Sequence, residues 1–225
     1  MKRLLVFYSI LTVFAVVFFS NFLESDDLSL YLDQSGPFVG TEILRDQGIY
    51  GEGIKIAVID TGVDFNHPDL LGWGPDGKVV GGYNFINEDE LPHDTNGHGT
   101  QVAGVIAADG EIKGIAPKAK ILAYKVSEEG EGVSSNLIIK AIDKAIADGA
   151  DVINISLGVN KTNEKIDSAV TRALEREIFV VTAAGNDGPD FGTIGSPGGN
   201  HGSVTVGATY NNLTSSLVAT LEVDN

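Results

Sequence analysis

No cysteine occurs among the 225 residues. This excludes disulfides, thiol nucleophiles and thiolate-bound metals. It does not imply a reducing compartment, because exported proteins can do without cysteine, and stability must then rest on packing. Positive charge is scarce as well: 15 Lys and Arg stand against 31 Asp and Glu, a formal net charge of −16. A chain so acidic lacks the basic face that phosphate backbones require, which argues against nucleic acid as a partner. Internal repeats are absent. What is present is 43% apolar residues, enough for one globular domain with a real core.

The amino terminus has the polarity of an export signal. Lys2 and Arg3 precede an uncharged apolar run from Leu4 to Phe19, and Glu24, Asp26 and Asp27 follow. Positive before and acidic after orients such a segment from inside to outside. Residues 1–23 therefore read as a signal peptide, or as an uncleaved membrane anchor, since no small-x-small cleavage site follows and the uncharged stretch reaches Leu23. Residues 24–38, acidic and ending in Gln34-Ser35-Gly36-Pro37, read as a linker.

Beyond it, apolar runs alternate with helical patterns. Ile54–Ile59, Ile121–Val126, Val152–Ile155, Ile178–Thr182 and Ser203–Val206 have the length and composition of buried strands. Thr100–Ala108, Ser134–Asp148 and Asn163–Glu177 carry helical spacing. Such alternation predicts an α/β fold: a parallel central sheet with helices on both faces and ligands at the carboxyl ends of the strands.

Three segments place chemistry at those ends. The first strand runs into Asp60-Thr61-Gly62, where the glycine allows a sharp turn and leaves the carboxylate at the sheet edge. Asp-Thr-Gly also occurs in aspartic peptidases, but those folds are all-β and pair two carboxylates. Asn96-Gly97-His98-Gly99-Thr100 puts a glycine-flanked imidazole at a helix start. His67, His93 and His201 have no such context, and a metal reading of His93, Asp94 and His98 lacks the HExxH helix. Finally, Ala183-Ala184-Gly185-Asn186 ends a strand in small residues that open a pocket and a carboxamide that can donate into it.

Taken in order, these segments resemble the subtilisin-like serine peptidases, the subtilase family. The likeness extends over Ile59–Asp64, His67–Leu70, His98–Gly104, Gly114–Pro117 and Val152–Gly158, and covers roughly residues 39–209 as the amino-terminal part of a catalytic domain. It implies serine-type endopeptidase activity outside the cytoplasm through an Asp-His-Ser triad. His98 is then the general base, Asp60 its orienting carboxylate and Asn186 an oxyanion donor. It further implies that Gly130-Glu131-Gly132 and Ser156-Leu157-Gly158 bind polypeptide substrate as an added strand. Ala183, Ala184 and Gly185 line the primary pocket, with Gly195–Gly198 as its far wall. No cofactor is required for the chemistry. A structural calcium is implied at Asp69, although one carboxylate is not a site and the loop Ala108–Gly114 is short for one.

The family's nucleophile lies in a Gly-Thr-Ser-x-Ala segment, and no such segment occurs here. The expectation is a chain truncated before the serine and inactive by itself, with residues 210–225 opening an inserted segment such as a protease-associated domain. Its sheet residues Ile56, Val58, Ile153, Ile155 and Val181 are expected to lack part of their cover. The alternative is a catalytically dead peptide-binding or decoy protein that keeps the cleft.

Overall fold

The computed structural model describes residues 32, 35–130 and 132–208. The leader at residues 1–23 and the segment 210–225 lie outside the described residues, so the expectations of a signal, a tether and an insertion fall there. Among the described residues no helix is long and apolar enough to cross a membrane. The tail of the expected linker is helical at residues 35–38. Leu32 and Ser35 are buried, so this stretch docks onto the domain.

Six parallel strands form one sheet in the order β2-β3-β1-β4-β5-β6. They are β1 (Lys55–Asp60), β2 (Val79–Asn84), β3 (Lys120–Lys125), β4 (Val152–Ile155), β5 (Phe179–Ala183) and β6 (Val204–Val206). The helices are α1 (Thr41–Asp46), α2 (His98–Ala107), α3 (Ser135–Ala147) and α4 (Glu164–Leu174). Parallel strands need crossovers, and the helices supply them on both faces. Ile56 and Val58 of β1 pack with Val102, Ala103, Val105 and Ile106 of α2 in one core. Ala57 and Ile59 face the other way, against Ile138 and Ile142 of α3 and Ile166 and Val170 of α4. The alternation follows from the two-residue period of a strand. Asp60 therefore shares the face of Ile56 and Val58, the face on which α2 lies.

β2 is the strand the pattern hides. Gly81 and Gly82 interrupt its apolar run, and glycine ordinarily weakens a strand. Here glycine is required: a Cβ on Gly82, at φ 150°, would collide with the carbonyl of Ala123 on β3. The sheet thereby gains a strand on the side of β3 that the five-strand expectation left as an edge.

The expected loss of cover is corrected. Ile56, Val58, Ile153, Ile155 and Val181 are all at most 2% exposed. α2 and its neighbours shield one face and α3 and α4 the other, so these five side chains are packed within the chain as it stands.

Candidate active site

Both side chains that read as a base and its orienting acid come from the carboxyl edge of β1 and the first residue of α2. Nδ1 of His98 lies 2.7 Å from Oδ1 of Asp60. Asp60 is fully buried, and its Oδ1 also accepts the amide of Thr61 at 2.7 Å. The approach is close because the loops carry glycine: a Cβ on Gly99 would collide with the carbonyl of Gly62. Burial alone lowers the pKa of His98, but the bond to Asp60 and the charges of Asp60 and Asp94 outweigh it. The imidazole is raised above its ordinary 6.5. The His98 side chain is 21% exposed, and no described residue bonds to Nε2. Chemically, this is a general base whose tautomer is set by a buried carboxylate.

Asp94, read from sequence only as a weak metal candidate, holds the pair in place. Its Oδ1 accepts from Thr61 Oγ1, Asn96 N and Gly97 N at 2.9–3.0 Å. Its Oδ2 accepts from Thr100 N at 2.9 Å and Thr100 Oγ1 at 2.6 Å. Thr61 Oγ1 in turn accepts from Gly99 N. One buried carboxylate thus ties the turn after β1 to the start of α2. Burial pushes the Asp94 pKa up, but these bonds prevail and it is held below the usual carboxylate range. No residue-type signal announces this role; it emerges from donors at positions 61, 96, 97 and 100 converging on one side chain.

The other expected site residues occupy the same sheet edge without touching the dyad. Gly130 lies beside Thr61, where a Cβ would sit 3.7 Å from Thr61 Cγ2. Gly132 is exposed, and Glu131 lies outside the described residues. Ser156 follows β4, buried and bonded to Nδ2 of Asn154 at 3.0 Å. The Leu157 side chain packs into the α3–α4 core, leaving only its backbone for a ligand. Gly158 abuts the 195–198 segment, where a Cβ would lie 2.8 Å from the Ser196 carbonyl. A Cβ on Gly198 would lie 2.6 Å from the carbonyl of Ala183. Ala183, Gly158 and Gly195–Gly198 therefore come close together in space. Ala184 is half-buried, while Gly185 and Asn186 are exposed at the end of β5. No hydrogen bond joins Asn186 to Asp60 or His98 among the described residues. Two buried acceptors on the site face, Asp60 Oδ2 and Asn154 Oδ1, have no donor among the described residues.

Asp69 stands in a local network of its own loop. Its Oδ1 accepts the amide of Glu111 at 2.6 Å and its amide donates to Nδ1 of His67, so the side chain organises its own loop. Among the described residues no group of three or more His, Asp or Glu is placed to hold a metal.

A parallel α/β sheet with a carboxylate-oriented imidazole at its carboxyl edge is the framework of a protein built for base-assisted chemistry on a bound ligand. The particular family follows from comparison with known proteins. The sequence profile of the subtilase family matches residues 51–220, and the chain belongs to that family. It is 40% identical over 201 residues to the minor extracellular protease Vpr of Bacillus subtilis, covering 83% of this chain and 24% of that one. It is 44% identical over 142 residues to thermitase of Thermoactinomyces vulgaris, covering 61% and 49%. Among solved structures it resembles sphericase, with a TM-score of 0.56 and 36% identity over 71% of this chain and 57% of that one. The chain thus spans between a quarter and a half of the lengths of Vpr and thermitase.

Proposed function

We propose that this chain supplies the base, the orienting acid and most of the cleft of a serine endopeptidase acting on proteins outside the cytoplasm. The observation that carries the reading is the 2.7 Å bond between a fully buried Asp60 and a partly exposed His98. In this reading Nε2 of His98 takes the proton of a serine hydroxyl as that oxygen attacks the peptide carbonyl. Asp60 steadies the resulting imidazolium, Asn186 donates to the oxyanion, and the imidazolium returns its proton to the leaving amine. The serine is assigned to a Gly-Thr-Ser-x-Ala segment encoded beyond Asn225. Extracellular action is supported by the polarity of residues 1–27 and by the likeness to a protease whose name calls it extracellular.

The test uses the protein expressed from the coding sequence continued past Asn225. A serine-directed organophosphorus reagent is expected to label and inactivate it, and His98→Ala to abolish both labelling and proteolysis. Loss of a triad member costs about 10⁴–10⁶ in turnover, a scale set by subtilisin, itself of this family. Undiminished labelling in His98→Ala overturns the role of His98. The 225-residue chain by itself is expected to leave casein intact; His98-dependent cleavage by it removes the need for a downstream serine.

A further inference from the structure

Beside the dyad, on the β2–β3 side of β1, lies a half-open cavity of about 680 Å³. Lys125, which ends β3, stands in register with Asp60 on the adjacent strand, so the cavity begins one strand, about 5 Å, from the acid of the dyad. Its walls combine two characters. Trp73 and Leu91 offer apolar surface, whereas Asp89, Glu90 and Glu128 contribute carboxylates. The ammonium of Lys125 is buried and already held by His93 O, Thr95 Oγ1 and Glu128 Oε2, so it offsets Glu128. Asp89 and Glu90 have no cationic partner among the described residues.

A second observation points to a ligand. Asn84 is only 3% exposed and lines this cavity. Its Oδ1 caps the following turn by accepting from Ile86 N and Asn87 N, while its Nδ2 meets no acceptor among the described residues. That amide is free to donate to a carbonyl placed in the cavity. The space is far larger than a metal ion needs, and the carboxylates do not converge as ligands would.

We propose that this cavity binds a basic side chain, lysine or arginine, of a polypeptide. The aliphatic stem lies along Trp73 and Leu91, the cationic head reaches Asp89 and Glu90, and Asn84 Nδ2 donates to a carbonyl of the same segment. The site deepens the peptidase reading and rests on it for its meaning. The cavity lies across β1 from Ala183, Gly158 and Gly195–Gly198, so the residue it selects is not the one that would lie against those residues.

Trp73 is the sole tryptophan, so its fluorescence reports occupancy without any turnover. Titrating the chain with acetyl-Ala-Arg-Ala-amide and with its Gln and Glu counterparts should show the Arg peptide binding about five- to tenfold more tightly than the Gln peptide in low salt. The gap should narrow as salt screens the carboxylates. Glu90→Gln together with Asp89→Asn should erase the Arg preference while leaving the unliganded Trp73 emission unchanged. Equal affinity for the Arg and Gln peptides overturns the proposal, as does an Arg preference that survives both substitutions. A change of Trp73 emission with calcium chloride alone that competes with the Arg peptide reassigns the cavity to a cation. Because binding is read on Trp73, failure here leaves the assignment of His98 standing, and failure of organophosphorus labelling leaves this result intact.

Discussion

The two flanks of β1 are built to opposite specifications. Toward β3 and α2 the dyad is held by a dense network: Asp94 accepts five hydrogen bonds, and Thr61 both donates to Asp94 and accepts from Gly99. Toward β5 the chain opens out, and Gly185, Asn186 and the residues up to Phe191 are exposed. The contrast matches two chemical demands. A proton acceptor works only if its partner stays within hydrogen-bond reach through the reaction, which favours a buried, saturated network. A pocket and an oxyanion donor must instead be reachable by substrate.

The sharpest way to break this comparison is to remove one group from each flank. If Asn186 is the proposed oxyanion donor, Asn186→Ala in the protein continued past Asn225 lowers kcat by about 10²–10³, the cost of losing such a donor in subtilisin. Because Asn186 is exposed, the same change should alter unfolding free energy by less than about 0.5 kcal/mol. Steady-state kinetics and urea unfolding read the two effects separately. A large loss of stability would mean that the open flank is structural after all.

Asp94→Asn should do the reverse. The carboxamide keeps the shape but turns an NH₂ group toward backbone donors, so a buried charge-assisted network is broken. A loss of roughly 2–4 kcal/mol of stability is expected. The pH dependence adds a signature. A depressed carboxylate contributes stability that is present above its unfolded pKa, near 3.8, and is lost as pH falls through the lower folded value. In the variant that acid limb of the stability curve should shrink. Wild-type unfolding free energy that is flat from pH 5 down to the acid transition would contradict the role given to Asp94.

This asymmetry also governed how far the sequence could be read. The five apolar strands and three amphipathic helices were legible because burial on one face leaves a period in the residues, and the structure places their ends within a few positions. Asp60 and His98 were legible only because several motifs occur together in the order of the subtilase family; neither residue's own surroundings would have sufficed. β2 was not, since Gly82 answers to the Ala123 carbonyl and Gly81 to the Leu122 side chain, both far along the chain. Asp94 and Lys125 were hidden for a related reason: a buried charge is defined by partners that only the fold assembles. Glu128 belongs to the same group: Lys125 and Thr95 hold one of its oxygens and lower its pKa.

The smallest effect is the most direct reading of the pinned flank. His98 feels three influences: burial, which lowers its pKa, and the bond to Asp60 and the charges of Asp60 and Asp94, which raise it. The raising influences prevail, so the imidazole should titrate above 6.5 when followed by NMR on the 225-residue chain. The sign works in two directions. A raised folded value means the dyad's contribution to stability is fully present below the unfolded value and fades as pH rises through the folded one. Competence as a base runs oppositely, since only the neutral ring accepts a proton, so activity of the continued protein should climb through that same elevated midpoint. Asp60→Asn separates the causes: it deletes the carboxylate and its charge but leaves the burial, so the His98 midpoint should drop below 6.5. Asp94→Asn removes only the more distant charge and should lower the midpoint by less. A wild-type midpoint at or below 6.5, or one indifferent to Asp60→Asn, would show that the 2.7 Å contact does not hold the ring as a buried ion pair must.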